Sequence, residues 1–289
     1  MDYLIHLFIL VGIYLILAQS FNLSFGLSRL LNVAHIAAYG IGAYTTALLA
    51  TEHQFSLWQC LPLGMILSGV LALAVGLISL RLASDYFIIG TLAFSSLFTA
   101  LLINWKSLTR GVLGIPGIPR PEVFTVDFSD NRKFLVLLST IVLVALVTLY
   151  AAFRSSFARG LRAQAESEHV ALALGKNAFG LRMMSFVVSS MFAGLAGGLY
   201  SYYFNYIEPS TFGLSELVFI LIIVVVGKPG SYWGVVLSTF FVVLLPEPLR
   251  FLSLPSDILG PMRQLLYAVI LFAVVYWQRE TLFPQERAI

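Results

Sequence analysis

The sequence predicts an all-α protein: a polytopic transmembrane helical bundle with about eight to ten membrane crossings, some of them broken or half-spanning. Two observations carry that expectation. The 289 residues are 59% hydrophobic and 11% charged, with a mean hydropathy of +0.92. Soluble domains average about 45–50% apolar and about 25% charged, and a soluble core of this size would leave large apolar patches exposed. The second observation is grouping. The apolar residues form runs near the ~20 residues a bilayer crossing needs, at 3–25, 30–50, 57–80, 86–104, 134–153, 183–205, 214–227, 232–249 and 263–277.

Leu4–Ala18 has the look of a signal-peptide core, but Met1-Asp2-Tyr3 carries no basic residue and the run continues past Phe21. It therefore reads as a first span rather than a cleaved signal. The seventh run is short and abuts Gly227-Lys228-Pro229-Gly230, so the seventh and eighth are candidates for broken elements. Close-packing patterns recur at Gly194-x-x-x-Gly198, Ala72-x-x-x-Gly76 and Gly40-Ile41-Gly42-Ala43; they let helix backbones approach and specify no function.

Two connections stand out within what reads as a single transmembrane domain over 1–289. The 105–133 stretch, with GVLGIPGIPRPEV at its centre, is rich in Pro and Gly and is expected to be an ordered outer loop. In 154–182, Leu161, Ala165, Glu168 or His169, and Leu172 recur at helical spacing, and Gly175 follows as a stop. That predicts an amphipathic helix over about 158–174, packed either on its own membrane domain or on a partner.

Basic residues give the orientation. With the N-terminus outside, the inner connections hold Arg29, Arg81, Arg154, Arg159, Arg162, Lys176, Arg182, Lys228, Arg279 and Arg287, ten of the 17 Lys and Arg. The bias points to N-out and C-in. The net charge of +3 follows the same membrane pattern, and no nucleic-acid partner is implied. Membrane lipid is the expected surrounding. Cys60 is the only cysteine, so no intramolecular disulfide can form.

Signatures of catalysis and metal binding are missing. There is no phosphate loop, no H-E-x-x-H, no G-x-S-x-G and no paired-His metal spacing, and His6, His35, His53 and His169 are scattered. The chain is expected to be neither an enzyme nor a cofactor binder. Asn22, Asn32 and His35 make the first two runs unusually polar. They read either as helix–helix hydrogen bonders or as the lining of a substrate path. Glu216 joins them as a path candidate, expected at the outer edge of the membrane because a charge is costly inside it.

Four stretches then resemble the permease subunits of ABC importers for branched-chain and other hydrophobic amino acids, in particular the M-type member of the permease pair. They are NVAHIAAYGIGAYTTALL at Asn32–Leu49, the segment Arg81–Pro119 with its Gly-Ile-Pro-Gly-Ile-Pro repeat, FARGLRAQAESEHVALALGKN at Phe157–Asn177, and GKPGSYWGVVL at Gly227–Leu237. The third is similar to the family's cytoplasmic loop that docks on an ATPase. It departs from the pattern in the order Arg159-Gly160, at His169-Val170 and at Leu172. In the fourth, Lys228 replaces the second glycine. The resemblance implies a bacterial inner-membrane transport subunit working with a second permease, ATPase subunits that hold ATP and magnesium, and an extracytoplasmic substrate-binding protein. It also implies that Arg162, Glu168, His169, Ala171, Leu172 and Gly175 lie in the coupling loop. An ion-coupled secondary transporter, or an ABC permease for urea, amides or sugars, stands as the alternative.

Overall fold

The computed structural model describes all residues except 1, 83, 124–125, 129, 174, 248–255 and 283–289. Its helices are α1 (Asp2–Phe21), α2 (His35–Glu52), α3 (Leu57–Ser79), α4 (Ser84–Asn104), α5 (Lys106–Thr109), α6 (Asn131–Arg154), α7 (Ser156–Glu166), α8 (Glu168–Ala173), α9 (Ala178–Phe204), α10 (Leu214–Val226), α11 (Tyr232–Leu244) and α12 (Ser256–Leu282). Five stretches are long and apolar enough to cross a membrane: Asp2–Gly26, Leu57–Ser79, Asp85–Asn104, Asn131–Arg154 and Ala178–Phe204. α10 and α11 have 13 residues each, about 20 Å of rise, too short to cross a ~30 Å core alone. Gly227 to Ser231 separates them, as the sequence anticipates.

α1 is the axis of the bundle. Its apolar window is 72% buried, against 28% for α4 and for α6. A helix apolar on every side belongs in the middle of a bundle, and α1 is covered by α6, α9, α10 and α11. The first run does not end as one regular helix. Asn22–Gly26 continues it as a π-helical turn, and residues 29–34 then leave helical geometry, so α2 begins at His35 rather than at 30.

α2, α3 and α9 form the tightest part of the bundle. At the Gly42–Gly194 contact the two backbones touch, and an added Cβ on Gly42 would collide with the Gly194 carbonyl. Gly64 comes up against Gly42 from α3, and Gly197 faces the Tyr39 carbonyl. The small-residue clusters are therefore the seam of this three-helix slab.

The 105–133 connection is ordered by specific contacts. β1 (Ile115–Pro116) pairs antiparallel with β4 (Tyr206–Ile207), matching Ile115 to Ile207, and β2 (Glu122–Val123) pairs with β3 (Val126–Asp127). Asn205, in the left-handed region at φ 57°, donates from Nδ2 to the Ile118 carbonyl at 2.6 Å. Arg120 donates to Asn205 Oδ1, Asn131 Oδ1 and the Tyr203 carbonyl at 3.1–3.2 Å, with its guanidinium over the Phe134 ring. These ladders pin the loop to the end of α9.

Replacing Gly42 by valine forces the α2–α9 seam apart, an overpacking cost of roughly 1–3 kcal/mol or more. The thermal midpoint of the detergent-solubilised chain is expected to fall. Gly260→Ala, whose Cβ meets nothing within 4 Å, should leave it unchanged.

Candidate translocation and coupling site

The polar groups of α1 arrange the site. In a bilayer a backbone or side-chain polar group has no water to bond, so it must find protein. Tyr14 donates to Glu216 Oε1 at 2.7 Å. Gln19 Nε2 donates to the Tyr232 carbonyl at 2.7 Å. Asn22 Oδ1 accepts from the Gly230 N–H at 2.8 Å, and its Nδ2 donates to the Ser231 carbonyl at 3.2 Å. Asn22 and Gln19 thus clamp the α10–α11 turn to the C-terminal end of α1.

The backbone explains why the clamp fits. Gly230 and Lys228 have φ of 82° and 67°, the left-handed region glycine enters at no steric cost. Lys228 sits at the very position where the family pattern has glycine. An added Cβ on Gly26 would run into the Gly230 backbone, so turn and π-turn touch. Ser185 of α9 donates to the Leu23 carbonyl at 3.2 Å, supplying a partner within the π-turn, where the regular ladder is broken.

His35 is fully buried beside α1. Its Nε2 lies 3.2 Å from Ser20 Oγ and 3.4 Å from the Leu17 carbonyl. Ser20 gives its proton to the Leu17 carbonyl at 2.9 Å, which leaves both neighbours able to accept from Nε2. Nδ1 has no partner, and neither amide atom of Asn32 has one. His35 and Asn22 make hydrogen bonds between elements, Asn32 is a buried amide, and all three are packed in the bundle.

Glu216 meets Tyr14, which stands midway between Asp2 and Gly26, so its carboxylate lies beside the middle of α1. The path of the chain brings it there. After β4, the 3-10 turn Pro209–Phe212 seats Phe212 against the rings of Tyr39, Tyr44 and Tyr200, and α10 starts with Glu216 in its first turn. Such half-length helices are how membrane transporters bring polar groups to mid-depth. A cavity of about 620 Å³ opens between α10 and α12, lined by Tyr14, Glu216, Phe219, Gln264 and Tyr267 among others. A second, of about 630 Å³, lies under the outer loop at Gln54, Ser56 and Arg120.

The 154–182 connection is an elbow, not one helix. Ser167 is extended, at φ −156° and ψ 113°, between α7 and α8. Ala158 and Leu161 are buried against Leu23, Leu27, Leu149 and Phe153, so α7 packs on its own membrane domain. Arg162 points outward, Ala171 is buried, and Leu172 is 52% exposed. Glu168 and His169 open α8, and their side chains lie outside the described ones. Gly175 at φ 70° closes α8, its N–H bonding the Leu172 carbonyl and that of Lys176 the Ala171 carbonyl, the Schellman pattern.

Sequence reading missed Tyr14, Gln19 and Ser20. The signal was present as polar residues inside the most apolar span, which in lipid demand named partners. Among the described residues no group of three His, Cys, Asp or Glu comes together.

A bundle of apolar spans with two paired short helices, a buried carboxylate and an elbow packed on its end has the build of a membrane transport subunit. The chain belongs to the family of branched-chain amino acid transport system permease components, whose profile matches residues 3–275. It is 30% identical to the high-affinity branched-chain amino acid transport system permease protein LivM of Salmonella typhimurium (strain LT2), over 95% of this chain and 68% of that protein. The protein of the same name from Escherichia coli (strain K12) is likewise 30% identical, over 96% of this chain and 69% of its own length. No solved structure matches the chain.

Asn22→Ala strips partners from the Gly230 N–H and the Ser231 carbonyl, a cost of about 1–3 kcal/mol for each group left unsatisfied. Asn32→Ala removes an amide that has no partner. The expected order of thermal midpoints is therefore Asn32→Ala above Asn22→Ala. The reverse order in detergent-solubilised protein would refute the clamp.

Proposed function

We propose that this chain forms one half of the translocation path of an ATP-driven importer for branched-chain or other hydrophobic amino acids, acting as one transmembrane domain. The N-terminus lies outside and the C-terminus inside, with the 105–133 loop outside and the 154–182 elbow in the cytoplasm. An extracytoplasmic binding protein delivers the substrate, a second permease supplies the other half of the path, and ATP and its magnesium are bound and hydrolysed on separate ATPase subunits. The LivM relatives carry the substrate assignment in their names.

The observation that carries the coupling reading is the elbow. α7 anchors it to the bundle through Ala158 and Leu161, while α8 holds an apolar side chain, Leu172, out from the domain. An exposed Leu on a short helix fixed at both ends, among Arg154, Arg159, Arg162, Lys176 and Arg182, suits a groove on an ATPase. Arg162, Glu168, His169 and Gly175 border the same surface in sequence, and Ala171 packs beneath it. Closure of the ATPase pair then favours one of two arrangements of the spans, by differential affinity for them.

The test uses the chain expressed with its partner subunits. A second permease and ATPase chains are expected to co-purify with it. Leu172→Glu should leave membrane insertion intact while uptake of leucine falls about tenfold or more, the effect of a lost apolar anchor at an interface. Leu161→Glu should instead reduce the yield of folded protein, because that side chain is core. Uptake by Leu172→Glu equal to wild type would overturn the assignment of α8 as the docking element.

A further inference from the structure

We infer that Glu216, held by Tyr14, is the anchoring group of a binding site for the ammonium of an aliphatic amino acid, whose side chain lies in the cavity between α10 and α12. The inference deepens the transport reading above and rests on it.

An ionised carboxylate at mid-depth is expensive unless paired. Glu216 receives one hydrogen bond, from the Tyr14 hydroxyl, and among the described residues it makes no ion pair. A carboxylate accepts at about four lone-pair sites, so Tyr14 fixes its orientation and leaves capacity facing the cavity it lines. The volume of about 620 Å³ falls in the range of small-molecule sites, about 300–1,000 Å³. The lining is asymmetric. Tyr14, Ser215, Glu216, Gln264 and Tyr267 bring polar groups to it, and Phe219, Ile222 and Leu271 bring apolar ones.

That division fits one chemical class. An α-ammonium pairs with Glu216, an aliphatic side chain covers the apolar wall, and the α-carboxylate is drawn to the start of α10, whose cap residue Gly213 offers no side-chain partner and whose first N–H groups carry the positive end of the helix. A phospholipid fits less well. Its acyl chain could fill the wall, yet its headgroup stays at the interface, about half of the ~30 Å core away from the middle of α1. α12 packs chiefly on α10, so the cavity opens at the side of the chain. There the second permease closes it into a path.

The experiment takes the assembled complex in lipid nanodiscs with binding protein and ATP, and uses the diazirine analogue of leucine as probe. After irradiation, adducts mapped by mass spectrometry are expected in 214–222 and 264–271 and should be competed away by excess leucine. Glu216→Gln should lower them about tenfold or more, as expected when the buried partner of a charge is removed, and Glu216→Asp should restore part of the labelling. Ser215→Cys keeps Glu216 in place and reads the site independently, since leucine should slow its alkylation.

Labelling that is unchanged in Glu216→Gln, or that leucine fails to compete, would overturn the site, the second result pointing to lipid as occupant. Leucine without effect on Ser215→Cys alkylation would do the same. If wild-type complex shows no leucine uptake dependent on ATP and binding protein, the transport reading falls, and this site with it. Uptake with labelling elsewhere removes the site alone.

Discussion

The constraint on which the rest depends is that α1, enclosed by protein on nearly every side, carries polar groups in a medium without water. Each of them must be answered by a different element. Tyr14 is answered by α10, Gln19 by α11, Ser20 by α2, and Asn22 by the turn joining α10 and α11. Four bonds of that kind fix how three separate parts of the chain sit around one axis. The hydrophobic effect does not do this in lipid, since acyl chains are as apolar as leucine; packing and hydrogen bonds decide the arrangement.

Two halves with different mechanics result. On one side, α2, α3 and α9 meet backbone to backbone at Gly42, Gly64 and Gly194, leaving no slack for side chains to rearrange. On the other, α10 and α11 are short helices joined through left-handed residues and held to α1 by hydrogen bonds and by the Gly26–Gly230 backbone contact. Packed seams of small residues resist sliding, because any shift produces overlap at once. Hydrogen-bonded turns shift more readily. The cavity and the mid-depth carboxylate lie in the second half, where movement costs less.

The bundle was legible because lipid imposes a length rule, and each apolar run falls on a helix. So were the small-residue seam, the short α10 and α11, and the stop at Gly175, each written in one residue type at one place. Depth was not legible. Glu216 opens its run, which places it at an edge if the run is read as a full span; in the fold the chain first passes through Pro209–Phe212 and Glu216 then meets Tyr14, midway along α1. Nor was the break at Ser167, since Leu161 and Leu172 share one helical periodicity in sequence and point to different surroundings in space. Asn22 read as a polar residue of a span, but its partners lie more than two hundred positions away, and pairwise hydrogen bonds at that separation leave no periodic trace.

The elbow and the cavity lie at opposite ends of α10, and the contacts between them run without a gap. Leu161 of α7 shares one apolar cluster with Leu23 and Leu27, the flanks of the π-turn whose Asn22 grips Gly230 and Ser231. A push on α7 must therefore either slide it over those two leucines or carry the π-turn with it. Carrying the π-turn while leaving the α10–α11 turn behind would strip Asn22, Gly230 and Ser231 of partners at about 1–3 kcal/mol each. Moving the turn as one piece with the end of α1 loses none of them. At the other end, α10 is tied to α1 by the bond from Tyr14 to Glu216 and the ring contact of Tyr14 with Phe219, with Gly213 and the 3-10 turn behind them as the natural place to absorb rotation. The least costly response to displacement at the elbow is thus a tilt of α10 about its upper end, which reshapes the cavity wall formed by Phe219 and Ile222 while Glu216 stays on Tyr14.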